Sequence, residues 1–204
     1  MNAGDMGPKM TWDIYKHLSD ECHHFNQLEG NYRTLASTWL LAAFAGQGYV
    51  LKELDPTTSP ALITMISVAA AVGLFLLWMM DLMVYHRLLG AAFARQRALE
   101  MAHPWLPQVA GGMWTGQRSK GVLPRIVWFY ILPYLLFACI GCITFAVGVT
   151  SDWQPVPRLA ATALVAGVAV GVAIYMYAAG TARTEEHVTF AAAPAVPAEG
   201  EQNG

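Results

Sequence analysis

The sequence has little charge. Asp, Glu, Lys and Arg make up 13% of its 204 residues, about half the ~25% usual in soluble domains. The formal net charge of −2 and the absence of a basic cluster on any soluble module argue against a nucleic-acid-binding class. With three cysteines, Cys22, Cys139 and Cys142, there is no disulfide framework. The chain has no Gly-rich phosphate loop, no Ser-His-Asp order and no HExxH motif, so an enzyme has almost no support. No predicted span carries a mid-membrane histidine pair, which argues against haem, and no cofactor is expected. Residues 1–33 are polar and mixed in charge, without the apolar core of a signal peptide, so the first membrane helix is expected to be retained.

What the sequence does have is hydrocarbon: 55% of residues are hydrophobic, and they come in blocks. Four blocks read as spanning helices, at about 35–51, 61–85, 122–150 and 157–179. The first, LASTWLLAAFAGQGYVL, is short for a bilayer, so its helix is expected to start earlier. Basic residues set the orientation. The loop from His86 to Arg125 holds Arg87, Arg95, Arg97, Arg118 and Lys120, and the N-terminal segment holds Lys9, Lys16 and Arg33. The opposite loops have only Lys52 and Arg158. The positive-inside rule puts both termini and the long middle loop in the cytoplasm. The expected fold is therefore all-α: a polytopic membrane protein with four transmembrane helices and a cytoplasmic helical layer. The expected location is a bacterial inner membrane, with the lipid bilayer as the first partner.

The stretch LLWMMDLMVYHRLLGAAFARQRALE, residues 76–100, acquires charge without acquiring a break. The second span is thus expected to leave the bilayer near Asp81 and continue as helix to about His103, where Pro104 and Pro107 stop it. A cytoplasmic helix over residues 11–33 should pack beside it, with Thr11 as N-cap and Asp13 in its first turn. Its apolar positions, Tyr15, Leu18, Cys22, Phe25, Leu28 and Tyr32, are spaced by three and four, close to a heptad seam. The simple reading is packing on the Leu88, Leu89, Ala92 and Leu99 face of the neighbouring helix. The sharper one is an intersubunit seam in a homo-oligomer, with Tyr15, Leu18, Cys22, Phe25 and Tyr32 as its contacts. The segment 104–121 reads as an interfacial loop with Trp105 and Trp114 as headgroup anchors. The tail 181–204 lacks large apolar residues and is expected to be disordered. The resulting organisation is a cytoplasmic amphipathic helix (1–33), a first transmembrane pair (34–85), a helix extension and linker (86–121), a second pair (122–180) and the tail.

Asp81 is the only acidic residue inside a predicted span, which makes it a functional candidate. It would be either an interfacial aspartate paired with Arg33 or Arg125, or a ring of carboxylates at the cytoplasmic mouth of a cation pore. His86 and Arg87 belong to the same charged boundary. His17, Glu21 and His24 share a helix face, but no fourth ligand is indicated, so no metal site is expected. Cys139-Ile-Gly-Cys142 falls in the outer half of the third span. As a redox pair it lacks a second cysteine pair to exchange with, and small residues beside Gly141 also suit helix packing. Ala163, Gly167 and Gly171 in the fourth span, and Ala42 and Gly46 in the first, form small-residue ridges for close helix approach. Pro133 is expected to kink the third span.

The segment HFNQLEGNYRTLASTWLLAAFAGQGYVL, residues 24–51, resembles the first part of SLATT-type bacterial membrane proteins, in which a cytoplasmic helix runs into a closely spaced pair of spans. WMMDLMVYHRLLGAAF resembles the RipA-type family of small octameric inner-membrane proteins. The resemblance covers about residues 10–105 and carries no catalytic motif. It implies an oligomeric membrane protein, with pore formation in bacterial conflict systems as the SLATT expectation. The extra pair of spans, 122–179, departs from that pattern. The expected function is accordingly a homo-oligomeric ion channel or pore-forming effector whose cytoplasmic helices control assembly and meet a regulatory partner or ligand. The alternatives are a non-conducting membrane scaffold or stress-adaptation protein and, further off, a thiol-quinone oxidoreductase using Cys139 and Cys142.

Overall fold

The computed structural model describes residues 7–111, 122–150, 152 and 154–191, which are predominantly helical, with no strand among them. Helix α1 spans Pro8–Glu53 and its 46 residues run without interruption through Gly30. Pro8 occupies the first turn, where its missing N–H costs nothing. The N-cap is Gly7, not the expected Thr11. Thr11 lies one turn inside, buried, with its hydroxyl donating to the Gly7 carbonyl at 3.4 Å. The helix stops before Asp55-Pro56, and the Thr58 and Ser59 amides both donate to the Asp55 carbonyl. This tight turn makes the next helix an antiparallel neighbour.

That next helix is one 44-residue column, Ser59–Ala102. It consists of α2 (Ser59–Trp78), a π-helical segment (Met79–Tyr85) and α3 (His86–Ala102). The continuous extension read from the sequence is therefore present, and it ends at Ala102, just before Pro104. α4 spans Val122–Thr144, passes through Pro133, and runs into a second π segment at Phe145–Val149. α5 spans Pro155–Ala191. Residues 181–191, expected to be disordered, thus continue the helix, and the remainder of the tail, 192–204, lies outside the described residues, as does Trp114.

α1 packs on α2 and α3, α2 packs on α4, and α4 packs on α5. The core lies where α1, α2, α4 and α5 meet, built from Ala36, Leu74, Trp78, Tyr130, Phe137 and Met176 with smaller residues between them. Close approach is set by glycines other than the predicted ridges. Gly73 faces the Trp39 indole, and a Cβ at Gly180 would lie 2.6 Å from Val127 Cγ2. By contrast Gly167 and Gly171 have nothing within 4 Å, Gly46 makes only an ordinary contact with Ile66, and Ala42 and Ala163 are exposed. Within one chain, then, the Ala163–Gly167–Gly171 ridge faces outward and packs on no helix.

Among the described residues, three helical stretches are long and apolar enough to cross a membrane: Ser59–Ala102, Arg125–Gly148 and Pro155–Thr181. Large apolar side chains stand exposed along them, Leu76, Leu132 and Leu164 among others, as a lipid-facing surface requires. α1 is longer than any of them but is not in this set, because its apolar part is brief and holds Thr38, Gln47 and Tyr49. The α1–α3 pair continues past the apolar bundle as a hairpin. Trp105 sits at its tip, roughly 26 Å along α3 from His86 at 1.5 Å per residue.

Candidate functional site: a buried ion cluster at the base of the hairpin

The predicted seam of α1 is used inside the chain. Tyr15 is buried, and Leu18, Cys22, Phe25 and Tyr32 are half-buried on the side that meets α3. The α3 face is Leu89, Ala92, Gln96, Leu99 and Glu100; the expected Leu88 is exposed. Following α1 from Tyr15 in steps of seven reaches Cys22, then Glu29, then Ala36. Glu29 is therefore a carboxylate in a seam position, and it is 4% exposed.

Glu29 anchors a cluster. Its Oε2 accepts from Arg33 Nη2 at 2.9 Å, one turn on, and its Oε1 lies 3.0 Å from His86 Nδ1. Arg33 Nε donates to Asp81 Oδ2 at 3.2 Å. Tyr130 of α4 donates its hydroxyl to the same Asp81 oxygen at 2.9 Å. Beside them the Tyr32 hydroxyl donates to that of Tyr85 at 3.4 Å, with the ring centroids 4.9 Å apart. One arginine thus sits between two buried carboxylates, and α1, the π segment, α3 and α4 are tied at one level.

The π segment is what puts Asp81 there. Its widened turn is closed by the His86 amide donating to the Asp81 carbonyl, five residues back. The wider turn brings two consecutive residues, Asp81 and Leu82, into the packed interior beside Trp78. Asp81 is fully buried, and its Oδ1 accepts no hydrogen bond among the described residues. π turns inside α-helices often mark functional positions. A charge taken out of water here costs several kcal/mol unless it is paired, and Arg33, a third exposed, supplies the pairing.

Of the sequence-predicted charges, the structure brings together Asp81, Arg33 and His86. Arg87 and Arg125 are exposed and lie outside the cluster. Asp81 is therefore paired with Arg33 and buried within the chain. Two members went unread in the sequence: Glu29, for which the heptad step from Tyr15 was an available signal, and Tyr130, for which there was none.

Two further polar layers lie away from the cluster. Deeper in the bundle Gln47 Nε2 donates to Ser67 Oγ at 2.8 Å, and the Thr64 and Thr144 hydroxyls pair at 2.8 Å. At the hairpin tip Glu100, 1% exposed, accepts from the Ala110 and Gly111 amides at 2.9 and 3.0 Å. There the Tyr15 hydroxyl donates to the Pro107 carbonyl at 3.2 Å.

The remaining candidates are dispersed. His17 and Glu21 form an exposed pair 3.4 Å apart, while His24 stands against Phe25. Cys139 is exposed, Cys142 half-buried, and both are free thiols. Burial, helped by the Glu21 charge, pushes the Cys22 thiol up from its ordinary range. The hydrogen bond to Tyr85, then burial, pushes the Tyr32 phenol up.

The chain matches no family model, no curated protein and no solved structure.

Proposed function

We propose that this is a non-enzymatic, four-span protein of a bacterial inner membrane. In this reading both termini are cytoplasmic, α1 is the fourth span, and the chain is a homo-oligomeric membrane scaffold. Its α1–α3 hairpin is the surface offered to a cytoplasmic partner, and the Glu29–Arg33–Asp81–Tyr130 cluster fixes that hairpin to the membrane bundle. The observation that carries this reading is the complete burial of Asp81 against Arg33 and Tyr130 of its own chain. A carboxylate committed in this way joins helices and leaves nothing to line a pore mouth. The distribution of Lys and Arg supports the orientation.

A second reading, an oligomeric pore lined by α1, is favoured by one feature. Thr34, Ser37, Thr38 and Gly48 stand exposed on the side of α1 away from the bundle. Their weight is limited, because Thr34, Ser37 and Thr38 each satisfy their hydroxyl on a carbonyl one turn back in the same helix. Such self-paired hydroxyls tolerate lipid.

Ion flux through the purified protein in liposomes separates the two. The comparison is between wild type, Asp81→Asn and a variant with Leu18 and Phe25 made polar. The scaffold reading expects no flux from an intact wild-type oligomer and loss of hairpin packing in the last variant. Flux that survives Asp81→Asn and changes with Thr38 would move the assignment to the α1-lined pore. Flux abolished by Asp81→Asn would overturn a purely helix-joining role for that aspartate.

A further inference from the structure

We propose that the Glu29–His86 pair is a proton-controlled clasp that fastens α1 to the start of α3, closed when His86 is charged and loosened when it is neutral. The clasp follows from the geometry of the cluster, whether or not the protein conducts ions.

With both carboxylates ionised, the charges balance only when the histidine is charged. Glu29 and Asp81 are both buried, and among the described residues the permanent cation bonded to them is Arg33, which each contacts. His86 Nδ1 lies 3.0 Å from the Glu29 oxygen that Arg33 leaves open. Histidine is the side chain whose charge changes near neutral pH. Charged, it gives the cluster two cations for two carboxylates and a charge-assisted hydrogen bond to Glu29. Neutral, it leaves one arginine between two buried carboxylates and a weaker bond at Glu29.

Among the described residues, the titratable and charged groups bonded within the cluster are Tyr32 and Arg33 on α1, Asp81 and Tyr85 on the π segment, and Tyr130 on α4. Arg87 and Arg125, next along α3 and α4, are exposed.

The location gives the proton leverage. The pair joins the base of the hairpin to the first residue after the π turn, and the π turn itself is closed by the His86 amide. Loosening at Glu29 frees α1 where it leaves the apolar bundle, without touching the core at Leu74, Phe137 and Met176. The sign follows from linkage. A histidine that gains a carboxylate partner contributes its stabilisation at low pH, and the contribution is lost as pH rises through its titration.

The test is hydrogen exchange of the full-length protein in lipid nanodiscs at about pH 6 and about pH 8, with rates corrected for intrinsic pH dependence. Peptides covering residues 26–36 and 83–90 are followed. A charged partner roughly doubles the strength of a hydrogen bond, so wild type is expected to open roughly fivefold more at the higher pH. His86→Gln is expected to show the higher opening at both values, and His86→Arg the lower opening at both. Glu29→Gln, which keeps an acceptor without the charge, is expected to lose the pH dependence. A flat wild-type profile overturns the clasp by itself, whatever the variants do. Wild-type pH dependence retained in either His86→Gln or Glu29→Gln overturns it as well.

Discussion

Tyr130 and Asp81, 49 positions apart and on different helices, share a 2.9 Å hydrogen bond in a site from which solvent is excluded. The hydroxyl donates to the same oxygen that Arg33 Nε contacts, so the carboxylate is held from α1 and α4 at once. Removing the hydroxyl in Tyr130→Phe leaves the ring packing intact and subtracts one donor. A hydrogen bond to a charged acceptor contributes about 1.5–3 kcal/mol, whereas an ordinary interhelical one in lipid averages only ~0.6 kcal/mol. The expected loss in detergent or denaturant unfolding is in the upper range. A loss near the lower figure would mean that Asp81 is held neutral.

Arg33 should be coupled to Asp81 more strongly than to any other single residue on the bundle side. Arg33→Gln strands two buried carboxylates, and breaking a buried pair costs about 3–5 kcal/mol. Arg33 is one-third exposed, so solvent screening brings the expected cost to the lower end of that range or below it. Asp81→Asn in the same protein removes one of the stranded charges. The double variant is therefore expected to be more stable than the sum of the two single losses predicts, by about 1–3 kcal/mol. Strict additivity of the two in unfolding measurements would show that the bond carries no net energy.

How much of this was readable from the residues divides along physical lines. Periodicity and hydropathy are local, and they showed the all-helical chain, the long Ser59–Ala102 column and the α1 seam. The same heptad step also pointed to Glu29, but a carboxylate at a seam position reads as solvated until its partners are known. Asp81 with Arg33 was legible because a charge in an apolar block needs a counter-charge at its own level. Tyr130 was not, since its approach depends on the register of α4 against the π segment, and a π turn has no signature in MMDLMVY. The outward direction of Ala163, Gly167 and Gly171 was likewise hidden. A small-residue ridge has a spacing but no marker of which partner it meets. Glu100 was missed because it stands in an ordinary helix, and only the fold of the chain after Pro107 brings two amides onto it.

Glu100→Gln tests that tip. The carboxylate accepts from two successive backbone amides, one on each oxygen, and carries a negative charge to the start of a helical turn. The amide side chain replaces one acceptor by a donor, which then faces an N–H in a buried site. The expected result is loss of about 1–2 kcal/mol of local stability, seen as faster hydrogen exchange at Ala110 and Gly111. Exchange in the bundle near Leu74 should be unchanged. Acceleration spread evenly through the chain would mean that the tip and the bundle unfold as one unit.

Cys22 offers a chemical probe of the seam. Its thiol lies half-buried between α1 and its neighbour, and burial first, then the Glu21 charge, raises it above the ordinary thiol range. The thiolate is the reactive form, so alkylation by iodoacetamide at neutral pH is expected to be severalfold slower than for a free thiol such as glutathione. The rate should climb with pH over a range displaced to the alkaline side. Glu21→Gln removes the smaller of the two causes and should speed the reaction modestly, with a difference that shrinks as salt screens the charge. Burial remains in that variant, so the reaction should still lag behind glutathione. Alkylation of wild type at the free-thiol rate would place Cys22 in open solvent, and the α1 seam would then have to open on its own in solution.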